Sequence, residues 1–185
     1  MLQTFTMPIY LSDDVIELHA RINHDFDADL WFETNKHRLF LRQYLLWVDD
    51  TTSLDDVTKA TDKFTTAWND GNTFAYSLVL CSTGRAVGSI DLHNVDIPNY
   101  RADIGYWLSE EHNGKGYMSR AVKLIEKQAF SNGLHRLQLL IQKDNIPSVR
   151  VAEKNHYLFE GTKRQALFKY GHFYDAQIYA KLNNS

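Results

Sequence analysis

Asp103 to Phe130, DIGYWLSEEHNGKGYMSRAVKLIEKQAF, is the stretch around which the chain is organised. Asp103-Ile104-Gly105-Tyr106-Trp107-Leu108 is an apolar, aromatic-rich run of strand type. His112-Asn113-Gly114-Lys115-Gly116-Tyr117 is a tight turn containing two glycines. From Met118 the period changes, and Ala121, Val122, Leu124, Ile125, Ala129 and Phe130 form a helical apolar stripe. A strand that feeds a glycine-rich turn at the start of a helix can hold phosphate. Glycines admit close backbone approach, and the unpaired N–H groups of the first helical turn point at the anion. The helix dipole adds roughly 0.3–1 kcal/mol per favourable charge, and Lys115 adds a cation.

The turn lacks the Gly-x-x-x-x-Gly-Lys-Ser/Thr order of a nucleotide P-loop. It also lacks Gly-x-Gly-x-x-Gly, because Met118 and Ser119 follow Gly116. Taken alone, two glycines mark an ordinary turn as readily as an anion cradle. With its flanks, IGYWLSEEHNGKGYMSRAV resembles the GNAT acetyltransferases, whose Gln/Arg-x-x-Gly-x-Gly/Ala turn wraps the pyrophosphate of acetyl-coenzyme A. That turn is Asn113-Gly114-Lys115-Gly116-Tyr117-Met118 here, with Ser119 next, and it departs from the pattern at its first and last positions. GYWL before it and Met-Ser after it resemble the RimJ/RimL branch. Asn145-Ile146-Pro147-Ser148 and Lys154 to Gly161 resemble that branch's Asn-x-x-Ser … Gly-Phe … Glu-Gly segment, with His156-Tyr157 in place of Gly-Phe. Arg38 to Val48 resembles its substrate-side helix, and Tyr174 to Leu182 its closing strand.

Composition sets the outer bounds. A chain of 185 residues with 44% hydrophobic and 13% aromatic content reads as one globular domain with a real core. A net charge of −3 argues against a large nucleic-acid footprint. The single Cys81 precludes an internal disulfide framework and fits a reducing cytoplasm. MLQTFTMPIY has no signal-peptide character, and no apolar run approaches the roughly 18 residues of a membrane span.

Along the chain, Thr4–Leu11 reads as an opening strand. Ser12-Asp13-Asp14 reads as the N-cap of a helix carrying Val15, Ile16, Leu18 and Ile22. His37–Val48 reads as a second helix. Ser53-Leu54-Asp55-Asp56 caps a third, which runs through Val57, Ala60, Phe64, Ala67 and Trp68 to Gly71. Strands Phe74–Cys81 and Ala86–His93 form a hairpin across Ser82–Arg85, and Asn94–Asn99 is a turn or bulged loop. After the strand at Ala102–Leu108 and the helix come a strand at Leu134–Gln142 and a short helix at Pro147–Asn155. A hairpin of Tyr157–Phe168 and Phe173–Leu182 closes the chain. That order implies a mixed, mostly antiparallel α+β sheet flanked by helices, and it matches the GNAT layout over essentially the whole chain.

Transfer of acetyl from a thioester to an amine needs a neutral amine, a donor for the oxyanion, a departing thiolate and two bound substrates. The resemblance implies that the pantetheine arm lies as an extra strand on the backbone of Tyr106, Trp107 and Leu108, with an oxyanion donor at a bulge there. Core packing is the favoured role of the Tyr106 and Trp107 side chains. A thiol of pKa about 8.5 leaves fairly well unaided. Many family members use a tyrosine acid at the position that is Ala152 here, whereas the RimJ/RimL branch places a serine, Ser148. Ser148 otherwise reads as a helix cap, and Asn145 as a partner of the coenzyme arm or a turn or cap residue. The base is open. Asp103 matches a strand position where some members carry a glutamate, and His93 with Asp91 could collect a proton or hold a cationic acceptor. The branch's hairpin glutamate position is Leu167 here. A peptide α-amine of pKa about 7.7–8 needs no strong base.

The histidines at 19, 24, 37, 112, 135, 156 and 172 show no HExxH or Cys/His metal spacing, and no metal is expected. Trp31, Phe32, Tyr44 and Trp47 fall on the acceptor side, as core stripe or pocket lining. The implied function is acetyl-coenzyme A-dependent N-acetylation of a primary amine by direct transfer. A protein N-terminus of ribosomal type is the first expectation for the acceptor, and a small amine or drug-like amine the second. A coenzyme sensor of the same fold and a nucleotide-binding protein are the alternatives. A homodimer through the aromatic closing hairpin is compatible with the sequence, and no nucleic-acid or membrane partner is expected.

Overall fold

A computed structural model describes residues 5–183. Eight strands form one sheet in the order β1-β2-β3-β4-β5-β6-β8-β7. They are β1 Tyr10–Ser12, β2 Ile16–Ala20, β3 Phe74–Leu80, β4 Arg85–Asp96, β5 Arg101–Leu108, β6 Arg136–Gln142, β7 Leu158–Lys169 and β8 His172–Leu182. The helices are α1 Asp27–Lys36, α2 Arg38–Leu41, α3 Trp47–Asp50, α4 Leu54–Asn69, α5 Tyr117–Ser131 and α6 Ile146–Lys154. The β3–β4 hairpin, α4, α5, α6 and the closing hairpin lie where the sequence places them. Ser53 and Asp56 form a reciprocal capping box at the start of α4, satisfying two otherwise orphan donors.

The first helix of the sequence reading is a strand. Ile16, Leu18 and Ala20 are buried and alternate with half-buried Glu17 and His19, a period of two. The helix signal at Asp13 is genuine local chemistry used differently. Its carboxylate accepts from the Val15 N–H at 2.8 Å and the Ile16 N–H at 3.0 Å, the bonds of an N-cap, but here they turn the chain between β1 and β2. The opening strand is also shorter than Thr4–Leu11, and Thr4 lies outside the described residues.

His37–Val48 is not one helix either. It breaks into α2 and α3, because the Arg38 guanidinium donates to the backbone carbonyls of Val48 and Thr51 and folds the segment back on itself. The helix preceding it, α1, has only a weak apolar face. It is held by Leu30 against Val57, Val79 and Ala86.

α5 packs the main core through Ala121, Val122 and Ile125 against Ile104 and the apolar residues of β2–β4. On the other face, α1 and α4 meet Trp107. The expected bulge in β5 is absent: its pairing with β4 is continuous from Asp103↔His93 to Leu108↔Gly88. The irregularities belong to β4, which carries an extra residue against β3 near Val87 and another against β5 between His93 and Asp96, where Asn94 has φ +51°.

Candidate functional site

β5 and β6 form the one parallel pair among the described strands. They pair only at Arg101↔Arg136, Ala102↔Leu137 and Asp103↔Gln138. Beyond Asp103 they separate, and a cleft lined by Ile104, Tyr106, Leu139, Ile141, Asn145, Ser148 and Leu167 opens between them. The polarity of the exposed strand edge follows from one bond. The Ser109 N–H donates to the Val87 carbonyl at 3.0 Å, so by strand alternation Trp107 and Gly105 also turn their backbone groups toward β4. Tyr106 and Leu108 therefore direct their free N–H and C=O groups into the cleft, while the Ile104 N–H still belongs to the last rung of the β5–β6 pairing, opposite Gln138. Trp107, expected to share in backbone binding, has its backbone committed to β4, while its indole lines a cavity on the opposite face.

The turn at Asn113–Met118 stands at the wide end of this cleft, and Asn113, Met118, Asn145 and Ser148 line one pocket with Tyr106 and Leu108. Gly114 and Gly116 have φ of +76° and +85°, the left-handed region that glycine adopts without strain. Gly116 is the N-cap of α5 and supplies no side chain, so the first-turn N–H groups of Tyr117, Met118 and Ser119 have no side-chain cap. Lys115 is exposed. A second cation, missed in the sequence, sits closer: Lys154 Nζ lies 3.6 Å from where a Cβ on Gly116 would be. Lys154 ends α6, and only the packing of α6 beside α5 brings it there.

At the start of α6 the roles of Asn145 and Ser148 are divided. Asn145 Oδ1 accepts from the Ser148 N–H at 3.3 Å, so Asn145 is the cap. The Ser148 hydroxyl makes no hydrogen bond among the described residues and faces the cleft. The Ser148 carbonyl accepts from the Tyr106 hydroxyl at 3.3 Å, and burial pushes that phenol well above its ordinary pKa, so it stays a donor. Phe40, Leu41, Tyr44 and Leu45 roof the pocket. Lys169, buried, pins that roof by donating to the Gln43 carbonyl and to Gln142 Oε1. Ala152 is fully buried and Leu167 lines the cleft without a carboxylate, so neither position offers an acid or base.

The remaining two candidates are brought together, but elsewhere. His93 and Asp103 face each other across the β4–β5 ladder at the closed end of the split, and neither lines the pocket holding Ser148. Asp103 accepts from Asn94 Nδ2 at 3.0 Å. His93 Nδ1 lies 2.5 Å from Asp91 Oδ1. Burial pulls the imidazole pKa down, but the Asp91 hydrogen bond and charge outweigh it, with a smaller push from Asp103, and the net shift is upward. A raised folded-state pKa means that this pair stabilises the fold fully below about pH 6.5, and that the contribution fades as pH rises through the raised value. Asp91→Asn is expected to lower the His93 pKa in an NMR titration; an unmoved midpoint would show that Asp91 does not set it.

Asp91 also floors a cavity of about 300 Å³ on the α1/α4 side, with Arg21, Ser89, Thr34, Trp47, Phe64 and Trp107. Arg21 is buried, donates to Thr61 Oγ1 at 2.8 Å, and through it joins Asp27. Burial lowers its pKa to about 10 against the pull of Asp27 and Asp91, leaving it charged at neutral pH. Trp47 and Trp107 stand 5.7 Å apart at its mouth. Of the four aromatics assigned to the acceptor side, Trp47 lines this cavity and Tyr44 the cleft. Trp31 packs beside the smaller core and Phe32 is exposed.

The model of the Acetyltransferase (GNAT) domain family matches residues 19–157. The ribosomal-protein-serine acetyltransferase of Escherichia coli (strain K12) is 30% identical over 171 residues, 92% of this chain and 94% of its own. Among solved structures, a RimL ribosomal L7/L12 alpha-N-protein acetyltransferase in complex with coenzyme A superimposes with a TM-score of 0.86 at 26% identity. The match covers 95% of this chain and 96% of that one. A microcin C7 self-immunity acetyltransferase, MccE, in complex with acetyl-CoA and AMP shares the fold, with a TM-score of 0.86 at 20% identity over 98% of both chains.

Proposed function

The chain belongs to the GNAT acetyltransferase family and is an acetyl-coenzyme A-dependent N-acetyltransferase, and we propose that its acceptor is the α-amine of a polypeptide, reached by direct transfer in a ternary complex. The observation that carries the reading is the split between β5 and β6. It leaves the backbone of Tyr106 and Leu108 free beside an uncapped helix N-terminus. The pyrophosphate sits on the Gly114–Ser119 backbone with Lys115 and Lys154 nearby. The pantetheine arm lies along β5, with the Asn145 amide beside it, and the thioester reaches Ser148.

The acceptor enters from the side of Trp47, Trp107 and Asp91. Its nitrogen lone pair attacks the thioester carbonyl carbon, and the oxyanion that forms meets a backbone N–H at the β5 edge. The C–S bond then breaks and the electron pair leaves with sulfur, which takes a proton relayed through the Ser148 hydroxyl, the serine regaining one from water as it donates. The amine proton passes to solvent through the Asp91–His93 pair; Asp103 stands behind His93 and acts on its charge. The E. coli relative and the RimL structure are named for ribosomal proteins, which favours a protein N-terminus over a small amine. No described helix is long and apolar enough to cross a membrane. An exposed, free Cys81 fits the cytoplasm as the compartment of action.

Calorimetric titration with acetyl-coenzyme A, followed by thiol release against Ser- and Ala-initiated peptides and small amines such as spermidine, tests the assignment. Saturable binding with faster release on peptides is expected; release on small amines alone would overturn the acceptor. Ser148→Ala is expected to leave coenzyme affinity unchanged and to lower kcat roughly tenfold. That is less than the usual 10²–10⁴ of a general acid, because a thiolate leaves readily. A wild-type kcat would remove Ser148 from the chemistry.

A further inference from the structure

At the C-terminal end of α1, Glu33 and His37 lie one helical turn apart and point the same way. Both side chains are about nine-tenths buried. Glu33 Oε2 and His37 Nε2 are 3.5 Å apart, and among the described residues neither atom has a hydrogen-bond partner. A buried carboxylate oxygen and a buried imidazole nitrogen left unpaired are each costly, on the order of 1–3 kcal/mol, unless something between them accepts both lone pairs. Glu111 closes the third side: its Oε1 is 4.0 Å from His37 Nε2, and one ligand atom from each of the three residues lies within 4.8 Å of the other two.

We propose that Glu33, His37 and Glu111 bind a divalent transition-metal ion, with zinc(II) the best match. Zinc–nitrogen and zinc–oxygen bonds of about 2.0–2.2 Å place tetrahedral ligand atoms roughly 3.3–3.6 Å apart. The Glu33–His37 edge already has that length. The His37–Glu111 edge reaches it by rotation of Glu111, whose side chain is about half exposed and is otherwise held by Lys36 at 2.8 Å. One imidazole and two carboxylates neutralise the ion and leave its fourth position to water. His37 Nδ1 faces Glu110 Oε2 at 3.8 Å, so the outer carboxylate favours the tautomer that frees Nε2 for the metal. Glu111 belongs to the 3-10 turn Glu110–His112, which runs directly into Asn113. The ion thus ties the end of α1 to the entry of the coenzyme turn, a structural role outside the acetyl-transfer chemistry.

The test is titration of the chelator-treated full chain with zinc chloride against a chromogenic chelator, with cobalt(II) absorption reporting coordination geometry. One equivalent of zinc is expected to bind, and the cobalt form to show tetrahedral bands. His37→Gln should weaken zinc binding by at least about 100-fold, more than the 10–100-fold that loss of an outer-shell partner costs. Glu111→Gln, a surface change that leaves folding intact, should weaken it by at least about tenfold. Absence of saturable zinc binding, or affinity unchanged in Glu111→Gln, would overturn the site.

Discussion

Gly116→Val abolishes measurable coenzyme binding in the expected result, while the domain stays folded. Gly116 holds φ +85° and ψ 1° as the N-cap of α5. A branched residue pays roughly 1–2 kcal/mol to hold that conformation, which a domain of ordinary stability of about 5–15 kcal/mol withstands. Binding suffers much more. A Cβ on Gly116 comes within 3.6 Å of Lys154 Nζ, so the branches of valine occupy the space between that ammonium and the free N–H groups of Tyr117, Met118 and Ser119. A diphosphate would lose its close backbone contacts and its nearest cation together. Charge-assisted bonds are worth about 1.5–3 kcal/mol each, so losing two costs at least about 100-fold in affinity. Calorimetry with acetyl-coenzyme A reads the loss, and thermal unfolding confirms that the fold survives. Affinity within a few-fold of wild type would mean the pyrophosphate lies elsewhere.

The parts of this site legible in the sequence were those whose determinants are contiguous. The strand–turn–helix at Asp103–Phe130 is read from period and glycines, and Asn145-x-x-Ser148 from a short spacing. Even there, sequence order did not say which of the two residues caps α6. The N-cap geometry assigns that role to Asn145 and frees the Ser148 hydroxyl. β2 is hidden in the sequence because an aspartate that turns a chain and one that starts a helix make the same bonds to nearby N–H groups, and Ile16–Ala20 is too short for its period to decide. The break between α2 and α3 has no local signal, because Arg38 reaching the Val48 and Thr51 carbonyls is a tertiary event. Lys154 beside Gly116, Lys169 under Gln43, Arg21 near Asp91, and Glu111 opposite Glu33 and His37 are all pairings between distant segments, which no local pattern encodes.

The same long-range geometry leaves Gly88 less room for a side chain than any other described glycine. Gly88 faces Leu108 in a non-hydrogen-bonded pair, the narrow kind, in which Cα atoms approach to about 4.5 Å. The extra residue at Val87 tightens it further, and a Cβ on Gly88 would lie 2.3 Å from the Trp107 carbonyl oxygen and 3.0 Å from Leu108 Cα. Both are backbone atoms, with no rotamer through which to yield. Gly88→Ala must therefore push β4 and β5 apart, breaking ladder bonds on both sides of the pair, at a cost of about 3 kcal/mol or more. For a chain of this size that is a fall in Tm of roughly 6–12 °C. The displaced strand is the one whose Tyr106 and Leu108 backbone groups face the cleft, so coenzyme affinity should fall with stability. A Tm within about 2 °C of wild type would show that β4 and β5 are less rigidly paired than the register implies. Loss of Tm with full coenzyme affinity would separate the β5 edge from the coenzyme arm. The methyl group thus probes a single structural relation: the position of β5 is set on its β4 side, and its open side works only because that position does not move.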